Sequence, residues 1–262
     1  MTQRALLEDL RRRIHALEAG EINRRRVMEF GDERVDSCFP DNGLPLGNLH
    51  EIGSSGIEDE TGAIGAAFAG HLLARLSREG PVLWSCLRED LHGPGLAACG
   101  LHPDRLLLVA VRDDAEALAV LEEALRSAGL AAALGEIGAF GLTASRRLQL
   151  ACERSGATGF VLRRRPWGRN PRAREPANAA ATRWRLAPAP SVSDEPGLGP
   201  PRWRVELAHC RGGRQGAWIM EASDATAGLN REAVPRDASL KCPEGQALVR
   251  RGGGRRRGAR RA

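Results

Sequence analysis

Asn48-Leu49-His50-Glu51-Ile52-Gly53-Ser54-Ser55-Gly56-Ile57-Glu58-Asp59-Glu60-Thr61-Gly62 is the stretch on which the reading of this chain turns. Residues 48–53 read as a short strand entering a loop, and the loop runs from Gly53 to Gly62. Residues 63–78 read as an alanine-rich helix, with Ile64, Phe68, Leu72 and Leu76 four apart on one side. The alternation continues outward from this unit. Residues 81–86 form a buried strand candidate, and 106–111 a second one. A strong helix covers 115–127, and 130–134 make a strand of small residues. Residues 144–155 are helical again, and 158–162 form a fourth strand. Strand and helix alternating at this spacing predict a mostly parallel α/β sheet covered by helices on both faces.

Strand, glycine-bearing loop and helix are the layout of a phosphate-binding loop. Such a site needs glycines that let backbone N–H groups close around the phosphates, a helix N-terminus, and a lysine that neutralises the terminal charge. Gly53 and Gly56 are present, but the positions near the lysine read Glu58-Asp59-Glu60-Thr61. The whole chain has one lysine, Lys241. Carboxylates therefore stand where phosphates would sit. At about 5 Å and an effective dielectric near 20, each pair of like charges repels by roughly 3 kcal/mol. Acidic residues in the first turn of a helix also satisfy its dipole and its free N–H groups. Capping thus outweighs a residual nucleotide site, and no cofactor is expected.

Composition narrows the class further. Of 262 residues, 42% are hydrophobic and 27% charged, an ordinary globular mix that excludes a wholly disordered chain. No apolar run is long enough for a membrane span, and the N-terminus lacks the apolar core of a signal peptide. A cytoplasmic protein is expected. The six cysteines form no Cys-x-x-Cys pair. His50, His71, His92, His102 and His209 share no i, i+4 spacing, so no metal site is expected. No Gly-x-Ser-x-Gly elbow is present, and no catalytic residue is assigned.

The net charge of +6 is divided unevenly. Residues 1–160 carry 17 Arg against 24 Asp and Glu, whereas 161–262 carry 22 Lys and Arg against 9 acids. The character changes at Arg163-Arg164-Arg165. Three segments beyond it, 182–186, 202–207 and 217–220, read as antiparallel strands, each with one tryptophan (Trp184, Trp203, Trp218). In the middle one Trp203, Val205 and Leu207 alternate with Arg202, Arg204 and Glu206, which buries the tryptophan face and exposes the arginines. The pattern stops near Arg231. The tail holds Arg250, Arg251, Arg255, Arg256, Arg257, Arg260 and Arg261 without an acid among its last thirteen residues, and disorder is expected there. With Arg163–Arg165 it is the electrostatic handle for nucleic acid or an acidic partner. At the other end, Leu6, Leu10, Ile14 and Leu17 form one narrow apolar stripe on a helix, a candidate partner contact if it does not pack on its own domain. The expected organisation is a helix over 1–22, an α/β domain over 23–230 with a β extension from about 163, and a basic tail over 231–262. Residues 23–47 read as a linker with turns at Asp41-Asn42-Gly43 and Pro45-Leu46-Gly47.

Residues Gly43-Leu44-Pro45-Leu46-Gly47-Asn48-Leu49-His50-Glu51-Ile52-Gly53 resemble the approach to the nucleotide loop in RecA. Residues 84–91 and 99–109 resemble the RecA strand that follows and its sequel. Gly135-Glu136-Ile137, then Leu142-Thr143-Ala144-Ser145-Arg146-Arg147-Leu148-Gln149-Leu150-Ala151, is similar to the ImuA family, as are Thr182-Arg183-Trp184-Arg185 and Pro201-Arg202-Trp203-Arg204-Val205-Glu206-Leu207. The resemblance covers roughly residues 5–230. It implies a RecA-like fold and a non-catalytic member of a damage-induced mutasome. The implied partners are an ImuB-type Y-family polymerase-like protein, an error-prone C-family DNA polymerase, RecA itself, and DNA through the tail. Glu136 and Glu89 fall near the acids that orient Mg²⁺ and activate water in a working RecA-type ATPase, but without the lysine neither has a complete site to serve. Two alternatives stand beside this reading: a SulA-like inhibitor of cell division and a divergent RecA-type ATPase.

Overall fold

The computed structural model describes residues 26–54, 58–127, 129–164, 177–190, 201–222 and 229–231. The chain divides into two units, Met1–Glu232 and Ala233–Ala262, and every described residue belongs to the first. The 1–22 helix and the basic tail therefore lie outside the described residues.

In chain order the elements are β1 (Val27–Met28), α1 (Glu33–Asp36), β2 (Leu44–Pro45), β3 (Leu49–Ser54), α2 (Glu58–Leu76), β4 (Val82–Cys86), α3 (Gly93–Ala98), β5 (Leu106–Ala110), α4 (Asp114–Arg126), β6 (Ala132–Ile137), α5 (Leu142–Ser155), β7 (Thr158–Arg163), β8 (Thr182–Ala189), β9 (Arg202–Cys210), β10 (Gly216–Ala222) and β11 (Leu229–Arg231). The main sheet runs β11-β10-β9-β8-β3-β7-β6-β4-β5. From β8 to β5 every pairing is parallel, and β9, β10 and β11 extend the sheet antiparallel. The mostly parallel α/β class and the antiparallel extension both stand. β8 is the junction, parallel to β3 on one side and antiparallel to β9 on the other.

Each face of the sheet has its own core. Phe68, Leu72, Leu73 and Leu76 of α2 cover Ile52, Trp84, Leu134 and Phe160. On the other face, Leu121 and Leu125 of α4 and Leu148 and Cys152 of α5 cover Leu49, Ala133 and Val161. Central strands are enclosed on both sides, so they read as nearly continuous apolar runs. Gly65 brings α2 close to the sheet, since a Cβ there would stand 3.0 Å from Leu162 Cδ1.

Three expectations are corrected. Residues 23–47 are not a linker where they are described. Phe30 and Phe39 stack at 5.9 Å and both tilt against the buried ring of Trp184. The buried Asp36 carboxylate accepts from the N–H groups of Phe30 (2.7 Å) and Gly31 (3.0 Å), which anchors this cover. The polar turn residues hid an apolar face spread over 28–44. Second, residues 130–134 are the start of a strand that continues to Ile137. Gly135 and Glu136 looked like a stop, yet Gly135 leaves room for Leu121, whose Cδ2 would lie 3.0 Å from an added Cβ. Third, residues 106–111 are not a buried strand. β5 is the edge of the described sheet, and Leu107 and Leu108 are 51% and 54% exposed.

Candidate functional site

In an open parallel α/β sheet, ligands bind beyond the C-terminal ends of the strands where the strand order reverses. Here that point is the end of β3, which has β7 on one side and β8 on the other. α2 begins at Glu58, so Glu58, Asp59 and Glu60 occupy its first turn. Their side chains and that of Thr61, and the whole of Gly56, lie outside what is described. Beside the second turn of α2 lies a cavity of about 260 Å³, walled by Ala66 and Ala67 of α2, by Leu91 and Leu96, and by Asp90 and Arg164.

Charged side chains crowd both faces of the sheet near this point. On the α2 face, Glu136 of β6 is fully buried. Its carboxylate accepts from Trp84 Nε1 (3.1 Å), from the Leu87 backbone N–H (3.1 Å) and from Arg164 Nη2 (3.1 Å). Arg164 also donates to Asp90 Oδ1 at 2.8 Å. On the α5 face, Glu51 of β3 is 2% exposed. Asn178 Nδ2 (2.6 Å) and Arg183 Nε (2.7 Å) donate to its Oε2, and Arg163 Nε lies 3.5 Å from its Oε1. The Arg163 guanidinium also sits over the Phe140 ring at 5.7 Å.

The alternation of strand residues produces this division. Glu51, Arg163 and Arg183 share one face, whereas Glu136 and Trp84 share the other. Burial of each acid is tolerated because several donors meet it.

Arg163 and Arg164 are therefore corrected as a surface handle. Their side chains are 7% and 9% exposed, and each is committed to a carboxylate of its own chain. Burial follows from their place at the end of β7, a strand covered on both faces. Arg165, Arg250, Arg251, Arg255, Arg256, Arg257, Arg260 and Arg261 lie outside the described residues, as do Leu6, Leu10, Ile14 and Leu17. Of the two acids near ATPase positions, Glu136 is taken up by structural bonds, and Glu89 is exposed.

A second polar chain joins β2, β3 and β8. Trp184 Nε1 donates to Thr182 Oγ1 (3.0 Å), Thr182 lies 2.8 Å from His50 Nδ1, and His50 Nε2 lies 3.0 Å from the Pro45 carbonyl. A carbonyl only accepts, so Nε2 carries the proton and Nδ1 accepts from the threonine hydroxyl. Burial lowers the His50 pKa to about 3, so the ring is neutral. Residue types alone carried no signal of Glu51, Asn178, Arg183 or the His50–Thr182 pair, whose members stand more than a hundred residues apart in the chain. Among the described residues no group of three or more His, Cys, Asp or Glu could hold a metal ion, and no helix is long and apolar enough to cross a membrane.

Sheet order and helical layers define an α/β protein with a mostly parallel sheet, an antiparallel extension and helices on both faces. No family model matches the chain. Protein ImuA of Caulobacter vibrioides, in strains NA1000 / CB15N and ATCC 19089 / CIP 103742 / CB 15, is 50% identical to it over 216 residues, which are 80% of this chain and 88% of that protein. The crystal structure of SulA from Pseudomonas aeruginosa aligns with a TM-score of 0.38 at 24% identity, over 44% of this chain and 96% of that one. The chain belongs to the ImuA family, as the resemblance in its sequence implied.

Proposed function

We propose that this protein is a non-catalytic RecA-like adaptor in SOS-induced mutagenesis and translesion DNA synthesis, working in the cytoplasm. It links an ImuB-type Y-family polymerase-like protein and an error-prone C-family DNA polymerase to RecA or to damaged DNA. Membership of the ImuA family carries the mutagenic role. The non-catalytic part is supported by the commitment of Arg163 and Arg164 to Glu51 and to Glu136 with Asp90. A triphosphate at the end of β3 would find neither a lysine nor an uncommitted arginine at these two positions, and the sequence of the first turn of α2 is acidic, Glu58-Asp59-Glu60. The β3–α2 turn is then a degenerate phosphate loop, and the protein acts by contact.

Two measurements test this. Co-purification from damaged cells should recover the ImuB-type protein, the polymerase or RecA; loss of all three from the intact chain removes the adaptor. Titration with labelled ATP and Mg²⁺ should show neither micromolar binding nor turnover; either result would restore the divergent ATPase.

A further inference from the structure

The run 142–151 on α5 has an inward and an outward side. Inward, Ser145 Oγ accepts from the Ala179 N–H at 2.9 Å, Gln149 Oε1 accepts from the Leu49 N–H at 2.9 Å, and Leu148 fills the core. Outward, Leu150 is 51% exposed and belongs to neither core. Arg147, Leu150 and Arg154 follow one another at i, i+3 and i+7, so they share one face of α5. That face borders a groove of about 460 Å³ between α4 and α5, completed by Glu122 and Arg126 of α4 and by Ala151.

Three guanidiniums meet one carboxylate in this groove. Glu122 divides its oxygens between two of them: Arg126 Nη2 donates to Oε1 at 2.5 Å, and Arg147 Nη2 donates to Oε2. The acid is 10% exposed, whereas Arg126 and Arg147 remain 60% and 65% exposed. An arginine has five N–H donors in a rigid fork, so each keeps donors for a second acceptor. Arg154 is exposed and, among the described residues, has no ion pair. Glu153 lies outside the groove, its Oε1 taken by Gln149 Nε2 at 2.8 Å. Glu122 thus fixes where two arginines stand, which reduces the ordering that binding demands.

The groove offers net positive charge around an apolar floor. A carboxylate matches the guanidinium fork with two parallel hydrogen bonds. An apolar side chain fits against Leu150 and Ala151. A small anion would engage the arginines and leave Leu150 uncovered, and so would the phosphates of a nucleic-acid backbone. A peptide with acids on either side of an apolar residue engages both parts. From Arg147 to Arg154 the helix rises roughly 10 Å, the span of about three residues of extended chain.

We infer that the groove between α4 and α5 binds an acidic segment of a partner protein, with its carboxylates on Arg126, Arg147 and Arg154 and an apolar side chain on Leu150. This adds a docking surface to the adaptor reading without resting on it, because it concerns the chemistry of the segment and not which protein supplies it.

Fluorescence anisotropy on the purified full chain tests the inference, with labelled Gly-Asp-Leu-Leu-Asp-Gly as the probe. The peptide should bind, and more weakly as salt rises. Versions with lysine for aspartate, or serine for leucine, should bind about tenfold more weakly. Arg154→Glu should weaken binding about tenfold and Leu150→Ser about fivefold. Both variants should keep the wild-type melting temperature, since neither side chain is buried. Arg105→Glu, outside the groove and 55% exposed, should change nothing. No binding of the probe at millimolar concentration overturns the inference. So does affinity indifferent to Arg154→Glu and Leu150→Ser, or equal affinity for the lysine peptide. An oligothymidylate that binds through the same arginines, whatever stands at position 150, overturns it in favour of nucleic acid. Co-purification from damaged cells tests the adaptor reading separately: its failure with peptide binding intact would remove the adaptor and leave the groove.

Discussion

Arg164 Nη2 lies 3.1 Å from Glu136 Oε1, inside the α2 face of the sheet, where the acid has no solvent exposure and the guanidinium is 9% exposed. Removing one member of a buried ion pair leaves the other charge uncompensated, which costs more than the pair contributes. Arg164→Ala should lower unfolding stability by about 3–5 kcal/mol. Glu136→Gln should cost less, because Arg164 keeps Asp90 at the cavity mouth. Urea denaturation of the three proteins measures this. A loss below ~1 kcal/mol for Arg164→Ala, the range of exposed pairs, contradicts the assignment.

His50 makes stability depend on pH. Its pKa falls from the ordinary 6.5 to about 3 in the folded chain. Above pH 6.5 the ring is neutral in both states and nothing is lost. Below it the unfolded chain takes up a proton that the folded chain refuses until about pH 3, so stability declines as pH falls through that window. The slope from this residue is ~1.4 kcal/mol per pH unit. Replacing His50 by Asn should flatten the profile of unfolding free energy between neutral pH and pH 5. Equal slopes for both proteins would show that the ring is not held neutral.

Gly159 sits in β7 where no side chain fits. A Cβ there would lie 2.9 Å from Cys152 Sγ and 3.1 Å from both Leu125 Cδ1 and Leu49 Cδ1. Gly159→Ala should destabilise by about 1–3 kcal/mol through overpacking. Gly93→Ala is the control, since nothing lies within 4 Å of its Cβ. Thermal melts that rank the two variants the other way would refute the packing described for α4, α5 and β3.

Deleting residues 250–262 removes seven arginines. If the tail meets DNA, the truncated protein should bind duplex more weakly and with a shallower dependence on salt, because fewer counterions are released. Fluorescence anisotropy at several salt concentrations reads both quantities. Unchanged affinity and slope would take DNA contact away from the tail.

Leu10 and Ile14 distinguish two fates of the N-terminal segment. Charged replacements should abolish a partner or self-assembly contact if the stripe docks outward. They should instead lower the melting temperature if it packs on its own domain. Calorimetry beside a binding assay separates the two outcomes.

The strand-and-helix alternation of 48–162 was legible because burial on both faces writes long apolar runs into parallel strands, and helices repeat at a different period. The tryptophan alternation beyond Arg163 was legible for the same kind of reason, and Trp184 and Trp203 are buried as it required. Residues 28–44 were not legible, because their apolar side chains follow neither period and acquire meaning only against Trp184. The arginines at 163 and 164 were misread because a run of like charges looks the same whether water or carboxylates surround it.

What the residue order determined unaided is the α/β class, the positions of most elements and the want of a lysine in the strand–loop–helix unit. These depend on neighbours within a few turns or strand lengths. Tertiary structure alone decided that Glu51 and Glu136 draw Asn178, Arg163, Arg183 and Arg164 inward, and that β5 ends the described sheet with Leu107 and Leu108 exposed. Those outcomes depend on which distant strands lie side by side, and local periodicity carries no information about that order.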